Sequence, residues 1–145
     1  MRGNWRHIWT LIGSMLLVGG GYAQSTSCAF QTGQYATLLL PVEAFRELDI
    51  RPGDLLQAYT PEGQCAGQVR WNGDNTAMAL WADDPMTPEK EGFAVGDSLR
   101  LVLWRPGRPP RLLQLFLATG QSYWVGVNRY VPDGIYRVRY LVPVR

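Results

Sequence analysis

From Tyr35 onward the chain alternates apolar and polar residues in short runs, broken by glycine and proline at nearly even intervals. A period of two over five to eight residues predicts half-buried β-strands rather than helices. The runs predict strands over Tyr35–Leu40, Leu55–Tyr59, Gln64–Trp71, Thr76–Trp81, Ser98–Arg105, Arg111–Ala118, Ser122–Val127 and Ile135–Val142. Within Gln64–Trp71, Val69 and Trp71 fall on one side and Gln68 and Arg70 on the other. In the last run Tyr136, Val138, Tyr140 and Val142 oppose Arg137 and Arg139. Only after Pro41 does the spacing change, where Val42, Phe45 and Leu48 predict a short helix or a pair of turns over 42–48. The predicted fold is all-β, an antiparallel β-sandwich of about seven or eight strands.

Turn chemistry separates the runs. Arg51-Pro52-Gly53-Asp54 and Thr60-Pro61-Glu62-Gly63 place proline and glycine for tight turns, and Asn72-Gly73-Asp74-Asn75 predicts a hairpin between its flanking strands. A long polar connection over Ala82–Asp97 precedes Ser98, and Pro106-Gly107, Thr119-Gly120 and Pro132-Asp133-Gly134 divide the remainder.

The block from Gly53 to Trp104 resembles a repeat module of secreted and cell-surface bacterial proteins. That module typically carries a "GDEI-x-VFTPDG-x-CVG" stretch, a tryptophan, then "WGDD-x-x-T-x-x-x-DGF-x-x-GE-x-L-x-F-x-VW". Gly53-Asp54, Tyr59-Thr60-Pro61, Gly63, Cys65, Gly67, Trp71, Trp81, Asp83-Asp84, Thr87, Gly92-Phe93, Gly96, Leu99 and Trp104 stand on its positions, while Ala82 replaces a glycine and Glu91 an aspartate. The similarity covers roughly Tyr35 to Leu117 and continues more loosely beyond. The resemblance implies a non-catalytic part of exported proteins, often of type IX secretion substrates that carry a carboxy-terminal sorting domain, a segment not seen within residues 1–145.

Residues 1–23 read as a secretory signal: Arg2, Arg6 and His7, an apolar stretch from Ile8 to Gly20, then Gly21-Tyr22-Ala23 as a small-x-small cleavage site. The expected mature protein is a single domain over 24–145, secreted, on the cell surface or in the periplasm, with no membrane segment after cleavage. Cys28 and Cys65, both in the exported part, predict one disulfide across 37 residues, against the alternative of a small buried thiol and a mobile end.

Removing the leader leaves acids and bases balanced at 12 each, but unevenly spread. Gln24–Asp97 carries 11 acids and 4 bases, whereas Ser98–Arg145 carries eight arginines and only Asp133. Pairing between strands of the two halves would neutralise these charges. An arginine-lined face for a sulfated or carboxylated glycan, or for another subunit's acidic surface, is the other reading.

The mature chain has no histidine, which excludes Ser-His-Asp and Cys-His sites and histidine-ligated zinc. Asp83, Asp84, Glu89 and Glu91 crowd one loop, and a small carboxylate glycosidase is the one enzyme class left open. Asp83, Asp84, Thr87 and Glu91 could hold Ca²⁺, or hold loop amides with no ion. Of Trp71, Trp81 and Trp104, at least two are expected in the core. Tyr123, Trp124 and Tyr130, with Arg105 and Arg108, are the candidate surface-recognition residues. Arg105, Arg108 and Arg111 with these aromatics could also meet nucleic acid, but export and balanced charge argue against it. The reading is a non-catalytic structural, adhesion or partner-binding module, with envelope or extracellular proteins as partners. The alternative is a carbohydrate-binding module contacting polysaccharide.

Overall fold

The computed structural model describes Cys28, residues 31–118 and residues 129–145. The described chain is all-β. Seven strands run as β1 (Tyr35–Leu40), β2 (Leu55–Tyr59), β3 (Cys65–Arg70), β4 (Thr76–Trp81), β5 (Arg100–Trp104), β6 (Arg111–Leu117) and β7 (Ile135–Pro143), with one 3-10 turn over Val42–Phe45. Each strand coincides with a predicted run to within two residues. The run Ser122–Val127 lies outside the described residues.

The strands join one seven-stranded mixed sheet in the order β3-β2-β5-β6-β7-β1-β4. Every hydrogen-bonded pair is antiparallel except β1 with β7, where Thr37 faces Ile135 and Leu39 faces Arg137. The sheet curls until its two end strands meet. A Cβ on Gly67 of β3 would stand 2.6 Å from the Ala79 carbonyl oxygen of β4, so only glycine lets the two backbones come this close. The layers of the expected sandwich are thus two halves of one nearly closed sheet.

The seam between β3 and β4 corrects the hairpin expected at Asn72–Asn75. A two-residue hairpin of the favoured kind needs positive φ at both central residues. Here Gly73 alone takes it, at 92°. Asn72 Oδ1 instead accepts the Asp74 amide (3.1 Å), and Asn75 Oδ1 accepts the Val42 amide (2.8 Å), which ties the turn to the end of β1. The chain therefore leaves β3 at one end of the sheet and enters β4 at the other, where β4 pairs with β1.

Inward positions of the strands fill the interior: Leu38, Leu40, Leu56, Met78, Leu80, Leu101, Val138 and Leu141 are each within 1% of full burial. Each such side chain contributes about 1.5–3 kcal/mol by leaving water. β7 departs from strict alternation. Phe116 faces Tyr140 and Leu117 faces Val138, so Arg139 has no opposite number and forms a bulge. Beyond it the parity reverses: Leu141 points inward, and Tyr140 stays 37% exposed, stacked on Phe116 at 4.4 Å. The sequence pattern had grouped Tyr140 and Val142 with Tyr136 and Val138.

Cys28 and Cys65 are bonded to each other, with Cα atoms 5.1 Å apart, as predicted. The bond holds Cys28 against the start of β3, where its amide also reaches Gln68 Oε1 at 3.4 Å. A few residues on, the Thr32 hydroxyl donates to the Ala82 carbonyl just past β4 (2.6 Å). Among the described residues no helix is long and apolar enough to cross a membrane.

Candidate functional site: an arginine-lined pocket at the end of the sheet

The site is assembled where β2, β5 and β6 reach the end of the sheet. Asp54 precedes β2 by one residue and shares the inward parity of Leu56; Arg105 follows β5 and shares that of Leu101 and Leu103. Arg111 opens β6 directly opposite Leu103, so it too rises on the inward side, at the rim where the core gives way to solvent. Pro52 and Gly53 make the turn that presents Asp54. Gly53 takes φ 96°, and the Asp54 amide closes the turn on the Arg51 carbonyl at 3.0 Å.

Arg105 is held on two sides. Its Nε donates to Asp54 Oδ1 (2.9 Å) and its Nη2 to Asp54 Oδ2 (2.6 Å), a fork-on-carboxylate geometry. Nη1 donates to Asp49 Oδ2 (3.2 Å) and Nη2 to the Asp49 carbonyl (2.8 Å). Asp54 Oδ2 also accepts the Arg51 amide (2.9 Å). Burial pushes the Asp54 carboxyl up, but the Arg105 and Arg51 hydrogen bonds outweigh it and hold the group below the ordinary carboxylate range. Hydrogen bonding from Arg105, aided by the charge of Arg51, lowers Asp49 as well. The Asp54 hydrogen bonds raise the Arg105 guanidinium against its partial desolvation.

Beside this locked pair opens a cavity of about 280 Å³, lined by Asp49, Leu103, Arg105, Arg108, Pro109 and Arg111. Arg108 is turned into it by a tight connection in which its amide meets the Arg105 carbonyl at 3.1 Å. Arg108 and Arg111 are exposed, and among the described residues neither has a carboxylate within 4.0 Å. Of the eight arginines after Ser98, Arg105 alone forms an ion pair with the acidic half among the described residues. Neutralisation between strands therefore accounts for one of them, and the arginine surface stands largely uncompensated. A second, shallower hollow of about 380 Å³ lies between Pro41, Glu43, Ala118, Arg137, Val138 and Arg139, beside the β7 bulge.

The other predicted residues separate. Tyr130 is a correction: it is 1% exposed, its ring stacks on Phe93 at 5.1 Å and its hydroxyl donates to the Leu80 carbonyl at 3.0 Å, so it belongs to the core. Tyr123 and Trp124 lie outside the described residues. Arg105 sits in the pocket, but most of its donors are spent on Asp49 and Asp54, which makes it the frame; Arg108 is free to meet a ligand. Arg111, named from the sequence only as a nucleic-acid contact and not among the surface-recognition residues, completes the pocket. Its signal was the parity it shares with Leu113 and Leu115, which places a charged residue on the inward side of a strand.

The acidic loop holds itself together. Asp83 Oδ1 accepts the Glu91 amide (2.8 Å), Asp84 Oδ1 accepts the Met86 amide (2.9 Å), and the Thr87 hydroxyl bonds the carbonyls of Asp84 (3.0 Å) and Glu89 (3.1 Å). This is the hydrogen-bonded alternative to the Ca²⁺ set of Asp83, Asp84, Thr87 and Glu91. Among the described residues no group of three or more histidine, cysteine or acidic side chains is placed to hold a metal ion. Of the three tryptophans, Trp71 alone is buried, at 7% exposure against Phe45. Trp81 and Trp104 are half-buried, where two of the three were expected inside. Gln57 was not anticipated in the interior: it is fully buried on the side of β2 opposite Leu56, bonded to Gln68 and Tyr59.

Chemically, the pocket offers fixed charge. Asp49 and Asp54 are held below the ordinary carboxylate range and the Arg105 guanidinium is raised, so this cluster keeps its charges near neutral pH. General acid–base catalysis calls for a group that titrates near the working pH. Recognition of an anion calls only for oriented donors. Compared with protein-family models, curated proteins and solved structures, the chain matches none.

Proposed function

We propose that this protein is a non-catalytic, exported binding module that holds an anionic partner at the pocket formed by Arg108 and Arg111. The observation that carries this reading is a cavity bearing two guanidiniums that have no acidic partner among the described residues, set on a third that is locked in place by Asp49 and Asp54. Export is supported by the leader-like residues 1–23 and by the resemblance of residues 53–104 to modules of secreted proteins. The Cys28–Cys65 bond is compatible with an oxidising compartment. The partner is an acidic polymer of the envelope or the extracellular space, protein or polysaccharide. The engagement of Asp83 and Asp84 with loop amides weighs against a carboxylate glycosidase.

Retention of the oxidised mature protein on polyglutamate, polygalacturonate and neutral dextran matrices tests this, with and without chelator. The expected result is retention on an acidic matrix at low salt, released by added salt and indifferent to chelator. Passage through all three matrices would refute it. Retention that requires Ca²⁺ would move the site to the Asp83–Asp84 loop.

A further inference from the structure

We infer that the pocket takes a carboxylated sugar, one hexuronate unit of an acidic polysaccharide. The inference rests on the binding-module reading above and names the ligand class for that same pocket.

Three features select it. The first is charge. Arg108 and Arg111 carry no acidic partner among the described residues, while Asp49 and Asp54 are matched by Arg51 and Arg105, so the pocket is net cationic and calls for an anion. The second is Asp49, which stands in the lining with a side chain 62% exposed and reaches Arg105 through only one carboxylate oxygen, Oδ2. Its other oxygen, Oδ1, is ion-paired with the exposed Arg51 Nε at 3.6 Å and keeps lone-pair capacity to accept a hydroxyl from a ligand. A sugar supplies hydroxyls alongside its carboxylate; the stem of an acidic amino-acid side chain does not, and a second anionic group would be repelled. The third is the apolar floor. Leu103 and Pro109 share the lining with the arginines and offer a surface to the C–H face of a ring. A cavity of about 280 Å³ has room for a single ring with its substituents. The geometry places the ligand carboxylate on Arg108 and Arg111, the ring over Leu103 and Pro109, and a hydroxyl on Asp49.

Calorimetric titration of the oxidised protein at low salt tests this with four probes: trigalacturonate, its methyl ester, a glutamate oligomer and tripolyphosphate. Trigalacturonate is expected to bind and the ester to fail, since it keeps the ring and loses the charge. Arg108→Gln and Arg111→Gln, each confirmed folded by its melting curve, are each expected to weaken trigalacturonate roughly tenfold to a hundredfold, the effect of losing a charge-assisted hydrogen bond. Asp49→Asn is expected to narrow the preference for trigalacturonate over the glutamate oligomer. Equal or tighter binding of the glutamate oligomer or tripolyphosphate would overturn the sugar assignment while leaving an anion-binding module standing. Unchanged trigalacturonate affinity in both arginine variants would overturn the location. Failure of every anion to bind would remove this inference together with the reading beneath it.

Discussion

Replacing Asp54 by asparagine keeps its shape and removes its charge from beneath Arg105. Asp54 is 5% exposed and Arg105 20% exposed at the side chain, so the pair is largely withdrawn from water. Removing one partner of a fully buried pair costs about 3–5 kcal/mol. Arg105 keeps the Asp49 carboxylate and carbonyl and some contact with water, which brings the expected loss to about 2–3 kcal/mol. Urea unfolding at neutral pH should then show the midpoint falling by about 1–2 M with an unchanged slope. The pH dependence gives a second check. The folded-state pKa of Asp54 is depressed, so its contribution is complete above the unfolded value near 3.8 and is lost as pH falls through the folded value. The curves for the parent and Asp54→Asn should converge in acid. Asp49→Asn, at an exposed position, should leave the midpoint nearly unmoved. A midpoint for Asp54→Asn within 0.2 M of the parent, or a gap that persists undiminished in strong acid, would refute the lock.

Tyr130→Phe should cost about 1 kcal/mol in the same assay, since it deletes a buried hydroxyl bonded to the Leu80 carbonyl; a loss under 0.3 kcal/mol would return Tyr130 to the surface. Replacing both Cys28 and Cys65 by serine frees a separation of 37 residues and should lower stability by about 3–4 kcal/mol, read as a lower denaturation midpoint than the oxidised parent. Gly67→Ala should destabilise by about 2 kcal/mol or more because its methyl would meet the Ala79 carbonyl oxygen; an unchanged melting temperature would mean that β3 and β4 stand further apart. On the alkaline side, burial opposes the charge on Lys90, but Asp97 and Glu62 prevail and raise its pKa, while burial raises Tyr130. Both contributions are complete below the unfolded values, about 10.4 for lysine and about 10 for tyrosine, and are lost at higher pH. Melting temperature should therefore hold to about pH 9 and fall beyond pH 10, and Tyr130→Phe should flatten part of that fall.

The strands were legible because each alternation is local: Leu38 and Leu40, or Leu101 and Leu103, declare their inward side within one short run. The disulfide followed from the two cysteines, Cys28 and Cys65, both lying past the leader-like residues. Pairing was harder to read. Asn72–Asn75 carries hairpin residues, yet Asn72 and Asn75 spend their side chains on Asp74 and Val42 and send β4 to β1, a choice set by a contact 33 residues away. The β7 bulge at Arg139 likewise depends on the partner strand, and it turned Tyr140 outward against the sequence parity. At the site, the arginine excess was plain, but which arginine is bound and which is free depends on Asp49 and Asp54, each more than 50 residues from Arg105. Tyr130 looked like a surface aromatic because its short segment has no alternation to mark its inward side; Phe93 and the Leu80 carbonyl place it in the core.

The central claim is that an acidic ligand enters the pocket beside Arg105. Backbone amide shifts of the isotope-labelled, oxidised protein, followed by NMR as trigalacturonate is added, report the place directly. The account predicts saturating shifts clustered at Leu103, Arg105, Arg108 and Arg111, reversed by salt. Shifts confined to the Asp83–Glu91 loop or to the hollow beside Arg137 and Arg139, with the pocket silent, would contradict it.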